Sequence, residues 1–97
     1  MKTTNPSRPR CSFPLGQTVA TPSALAEIAA DDITAALARH AECDWGDCGP
    51  EDWRENEFAL KNDLRLFSVY RDRNKVTFWI ITEADRSATT ILLPGDY

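Results

Sequence analysis

The stretch that decides the fold runs from Leu64 to Leu93: Leu64-Arg-Leu-Phe-Ser-Val-Tyr-Arg71, then Val76-Thr-Phe-Trp-Ile-Ile-Thr-Glu83, then Ala88-Thr-Thr-Ile-Leu-Leu93. In its first run Leu64, Leu66, Ser68 and Tyr70 alternate with Arg65, Phe67, Val69 and Arg71, and a period of two sends successive side chains to opposite faces of a strand. Asp72-Arg-Asn-Lys75 is built of turn-forming residues. The second run is β-branched and aromatic, with apolar residues on both sides of its middle, which suits a strand inside a sheet. Ala84-Asp-Arg-Ser87 supplies another turn, and Pro94-Gly95 stops the third run. Three strands joined by two short turns predict an antiparallel meander.

Helical signals lie upstream. Thr21-Pro22 is a capping hydroxyl followed by proline at the first helical position, with Leu25, Ile28 and Ala29 as its apolar stripe. Asp31-Asp32 interrupt the alanine run as cap residues, and Ile33, Ala36, Leu37 and His40 resume helical spacing, so a second helix ends before Asp44; the two read equally as one kinked helix. Cys43 to Pro50 is a loop by its glycines and proline, and it carries Trp45 among polar neighbours. Pro50 then starts a third helix with Glu51 and Asp52 in its first turn, closed by Asn62-Asp63. Residues 1–12 hold Pro6 and Pro9, with Pro14 just beyond, and little to bury, so they read as a flexible basic arm on a single domain spanning 13–97. The expected fold is α+β: short N-terminal helices packed on a three-stranded antiparallel β-meander.

The chain has 97 residues, 42% hydrophobic and 27% charged, with a formal net charge of −4, a size and composition that exclude multidomain enzymes and disordered chains. No apolar run approaches the roughly 20 residues that cross a bilayer, and no apolar stretch follows the N-terminal bases, so the expected location is the cytoplasm, away from membranes. Charge is unevenly spread. Lys2, Arg8 and Arg10 make the first ten residues basic, whereas from Glu42 to Glu57 seven acids face only Arg54. Such a field repels phosphate and attracts cations, which favours a basic protein surface over direct nucleic-acid contact.

Catalytic signals are few. His40 is the single histidine, and Cys43 is its only local nucleophile; nothing resembles a nucleophile elbow, a phosphate-binding loop or a dinucleotide fingerprint. The reading is non-enzymatic, with no catalytic residue, no cofactor and no metal. Cys11, Cys43 and Cys48 are an odd number, read as reduced thiols. His40, Cys43 and Cys48 with Cys11 give a possible zinc set, but the spacing lacks the paired knuckles of structural zinc sites.

Several runs carry a resemblance: Phe13-Pro-Leu-Gly16, Thr21-Pro22, Arg39-His40, Asp44-Trp-Gly-Asp47, Glu55-Asn-Glu57, Leu60-Lys-Asn62, Trp79-Ile-Ile-Thr-Glu-Ala-Asp-Arg86, Thr89-Thr-Ile-Leu-Leu-Pro94 and Tyr97. From Phe13 to Tyr97 the chain resembles a family of small uncharacterised proteins carried on plasmids and integrative elements; Cys43 and Cys48 are not part of that pattern. The resemblance implies no activity and no cofactor. It implies a setting, the accessory genes of mobile elements, many of which act on host defence.

The resulting expectation is an acidic protein-binding module that inhibits a nucleic-acid-handling defence system of anti-CRISPR or anti-restriction type. Asp44, Trp45, Asp47, Glu51, Asp52, Trp53 and Glu55 would dock a basic surface of a host, phage or plasmid-related protein, with Trp45 and Trp53 as its anchors; the sequence leaves the two tryptophans open between interface and core. The alternatives are a nucleic-acid binder using the arm bases with Arg65, Arg71, Arg73 and Lys75 beside Tyr70 and Trp79, or a small zinc or thiol protein.

Overall fold

The alternation between Leu64 and Leu93 becomes three strands: β2 (Leu66–Arg71), β3 (Thr77–Thr82) and β4 (Ala88–Leu92). They pair antiparallel in sequence order, with Ser68 opposite Ile80 and Ile80 opposite Ile91. The computed structural model describes residues 11–97, so most of the expected arm, residues 1–10, lies outside the described residues.

The sheet has a fourth strand that corrects the expected three-stranded meander. β1 (Gln17–Ala20) runs parallel to β4, giving the order β1-β4-β3-β2 and a mixed sheet. Gln17-Thr-Val-Ala20 is too short to show a period, and its strand character comes from a partner 70 residues away: the Gln17 N–H donates to the Ser87 carbonyl at 2.9 Å and the Thr21 N–H to Ile91 at 3.0 Å. Gly16, at φ +66°, lets the chain into this position, because a Cβ there would collide with the Ser87 backbone.

Three helices follow β1 and precede β2. In α1 (Pro22–Glu27) the Thr21 hydroxyl accepts from the Ala24 N–H at 3.2 Å, with Pro22 in the first turn. α1 stops at Ile28, which is extended, so α2 (Ala30–Ala41) is a separate helix. Its cap is Ala29, not the aspartates. Asp31 and Asp32 lie in the first turn, where they complement the helix dipole, and Asp32 also receives Arg73. α3 (Pro50–Lys61) begins at proline and ends at Asn62.

Burial divides the sheet into two unlike faces. On the inner face Tyr70, Phe78, Ile80 and Ile91 meet Ala24, Ile28, Ile33 and Ala36 of the first two helices. The other face keeps Phe67, Val69 and Trp79 half-buried. α3 stands beside the β2 edge, where a second cluster joins Cys43, Trp45, Ala59 and Leu66 with Cys11, Phe13, Cys48, Trp53 and Leu60. Asn56 ties helix to strand, donating to the Phe67 carbonyl at 2.7 Å while accepting the Phe67 N–H at 2.9 Å. Beyond it, Gly46 bridges Val69 in parallel, so side chain and loop together occupy an edge that would otherwise be open. No helix among the described residues is long and apolar enough to cross a membrane.

Candidate functional site

The acidic segment divides at Gly49. On the loop side, Arg39 binds Asp44 through two hydrogen bonds of 2.8 and 3.3 Å, and the Gly46 N–H adds a third at 3.1 Å. The guanidinium contact holds the Asp44 carboxyl below its ordinary range. Asp47 pairs with Arg71 at 3.2 Å. Both carboxylates are neutralised within the molecule.

Trp45, expected as a docking anchor, is core instead. Its exposure is 0%, its ring stacks on Phe13 and meets His40 edge-on at 5.6 Å, and its indole N–H donates to Glu57 at 2.9 Å. An apolar ring with its one donor satisfied has every reason to leave water, and the groups that cover it come from two distant segments. Trp53 is half-buried against the same cluster.

On the helix side the picture reverses. Glu51, Asp52 and Glu55 are exposed, and among the described residues none of them has an ion-pair partner. They line a groove of about 790 Å³ between α3 and the start of β2. Arg54, Asn56, Phe58, Leu64, Arg65 and Phe67 complete its walls. Phe58 is 61% exposed and Leu64 46%, so the groove has an apolar floor bordered by three carboxylates, with Arg54 and Arg65 on its rim as well. Glu51, Glu55 and Phe58 recur at the spacing that puts residues on one helix face. Phe58 and Leu64 were not among the residues expected from sequence. The signal was present in the helix itself: Phe58 falls off the Trp53 and Leu60 stripe that faces the core.

The alternative nucleic-acid surface has most of its cations committed. Arg65 contacts Glu83 at 3.5 Å and the Tyr97 hydroxyl, Arg71 holds Asp47, and Arg73 holds Asp32 at 3.0 Å. Tyr70 is buried with its hydroxyl donating to the Asp44 carbonyl, so its ring offers no stacking platform; burial raises its pKa. Trp79 lies between Phe67 and Tyr97 at ring separations of 5.0 and 5.8 Å.

His40 sits at the centre of a buried hydrogen-bond chain. Thr89 donates to the Leu15 carbonyl at 2.7 Å, which uses its only proton, so Thr82 must donate to Thr89 across 2.7 Å. Thr82 therefore accepts from His40 Nε2 at 2.8 Å, and Nδ1, the bare nitrogen of a neutral ring, accepts from the Ser68 hydroxyl at 2.6 Å. Burial, with a smaller contribution from Arg86, lowers the His40 pKa to about 4. Ser68 beside an imidazole has the look of a nucleophile and base, yet both residues are fully buried.

Two of the three cysteines do not remain reduced. Cys11 and Cys43 form a disulfide, with Cα atoms 5.9 Å apart, which removes two ligands from the zinc set; Cys48 is free. Folding brings the two together because Phe13 packs on Trp45 two residues from each cysteine. Among the described residues no group of three His, Cys, Asp or Glu side chains is placed to hold a metal ion.

Compared with protein-family models, curated protein sequences and solved structures, the chain matches none.

Proposed function

We propose that the protein is a non-enzymatic docking module whose α3 groove receives a basic segment of a partner protein carrying at least one apolar side chain. The observation that carries this reading is the contrast in charge pairing: Asp44 and Asp47 are spent on Arg39 and Arg71, whereas Glu51, Asp52 and Glu55 face solvent around an apolar floor. Three carboxylates within about one and a half helical turns repel one another, and a cation from outside relieves that repulsion. Phe58 and Leu64 give an incoming side chain something to bury against, since contacts shielded from water carry most of the energy at an interface. Lysine or arginine with an aliphatic or aromatic neighbour matches both halves of the groove.

The setting implied by the resemblance in the Trp79–Arg86 run makes the natural partner a nucleic-acid-handling protein of a host defence system, of anti-CRISPR or anti-restriction type. Such proteins present basic channels to nucleic acid, and an acidic module that fills one competes with the phosphate backbone. The action is occupancy, without bond breaking.

The test is capture of a basic nucleic-acid-handling protein from the native host by the wild-type chain and by two variants. Neutralising the rim with Glu51→Gln, Asp52→Asn and Glu55→Gln, or removing the floor with Phe58→Ala, should each reduce capture at least tenfold while circular dichroism stays unchanged. Equal capture by folded variants would reject the groove as the docking surface.

A further inference from the structure

The Cys11–Cys43 disulfide joins the first described residue to the entrance of the loop that covers the β2 edge. Immediately after Cys43, that loop attaches to β2 through three hydrogen bonds: Tyr70 Oη donates to the Asp44 carbonyl at 2.5 Å, the Val69 N–H to Trp45 at 3.1 Å, and the Asp47 N–H to Val69 at 2.7 Å. Gly46 lies so close to the strand that a Cβ there would collide with the Val69 carbonyl. Cys43 itself has φ +67°, the left-handed conformation that closes α2: its N–H donates to the His40 carbonyl at 3.0 Å and the Asp44 N–H to Arg39 at 2.9 Å, so the disulfide is anchored at the fixed end of a helix.

We propose that the Cys11–Cys43 bond is a reducible latch holding the Asp44–Asp47 segment against β2, and that a thiol reductant uncovers this stretch of sheet edge. Cys11 is half-buried and Cys43 buried, so an incoming thiolate meets the Cys11 sulfur first. With dithiothreitol as the reductant, its thiolate attacks Cys11 Sγ and the S–S bond breaks, leaving Cys43 as thiolate and Cys11 in a mixed disulfide. The reagent's second thiol then closes a cyclic disulfide and releases Cys11. Two electrons pass to the protein, two protons end on Cys11 and Cys43, and the reagent is oxidised by the same two electrons. The freed edge exposes the Val69 N–H and carbonyl, groups that pair readily with an extended strand. The opening is bounded, because Asn56 holds both backbone groups of Phe67 without help from the disulfide.

This latch is independent of the α3 groove, and its test reads local exchange in the whole chain. Alkylation with iodoacetamide should modify Cys48 alone before reduction and all three cysteines afterwards. On adding dithiothreitol, amide hydrogen exchange at Asp47 and Val69 should accelerate at least tenfold more than it does at Phe67 and at the amides shared by β3 and β4. Cys11→Ser should show the accelerated pattern without reductant; if that variant does not fold, the dithiothreitol comparison decides alone. Three reactive thiols in the untreated protein overturn the proposal. So does unchanged exchange at Asp47 and Val69 after reduction, or an acceleration spread evenly over the sheet.

Discussion

The loop from Cys43 to Cys48 and the helix from Pro50 to Lys61 are neighbours in sequence and both acidic, yet they use their charge in opposite ways. The loop is drawn onto the β2 edge by Trp45, and that passage carries Asp44 to Arg39 and Asp47 to Arg71. The helix is hydrogen-bonded to the same edge through Asn56 and packs Ala59 beside Leu66, yet it keeps its first-turn carboxylates in solvent. A run of acids in a sequence therefore states a net charge without stating how much of it is available. Availability depends on which cations the fold brings alongside, and Arg71 reaches Asp47 across 24 residues.

The comparison can be broken most forcefully at Trp45. Trp45→Ala should cost about 3–5 kcal/mol in chemical denaturation, from lost burial and the cavity left behind, whereas Glu51→Ala should stay within about 0.5 kcal/mol. Comparable losses for the two would mean that loop and helix are equally exposed. Next comes the covalent tie: the disulfide closes a separation of 32 residues, and Cys11→Ser should lower stability by about 3–4 kcal/mol if it acts by restricting the unfolded chain.

A pH titration sharpens the same division. The folded chain keeps His40 neutral down to about pH 4, whereas the unfolded chain takes up that proton near the ordinary value of 6.5. The stability contributed by the neutral ring is thus complete above pH 6.5 and is lost as pH falls toward 4. That difference amounts to about 3 kcal/mol. His40→Gln should lower stability at pH 7 and flatten this slope; a slope that persists in a folded variant would place its origin elsewhere. Asp32, Asp44 and Asp96 have their pKa lowered by hydrogen bonds, from Arg73, Arg39 and Ser23 respectively, so their contribution fades at lower pH, below the usual carboxylate value of 3.8. The smallest effect belongs to the exposed pair: Asp47→Asn should cost less than about 1 kcal/mol by denaturation and raise the net positive charge near Arg71.

Local signals foretold local structure. Thr21-Pro22 and Pro50 mark helix starts, and the alternation of Leu66, Ser68 and Tyr70 marks the buried side of β2, because each depends on residues adjacent in the chain. β1 escaped notice because four residues carry no period and their parallel partner is β4. Trp45 was misplaced for a related reason: among Asp44, Gly46 and Asp47 it resembles an exposed anchor, and only Phe13 and His40, brought from other elements, make its position a core. The groove was half legible. Glu51, Asp52 and Glu55 belong to it, whereas Asp44 and Asp47 do not, and Phe58 and Leu64 become a floor only once α3 leans on the start of β2.

The division between spent and available acids can be read directly by titrating the 15N-labelled protein with a synthetic peptide of alternating arginine and leucine and following its amide resonances. The account predicts shifts concentrated at residues 51–58 and 64–67, weakening as salt is raised, with the amides of Asp44 and Asp47 unmoved. Shifts centred on the loop, or none anywhere at millimolar peptide and low salt, would contradict it.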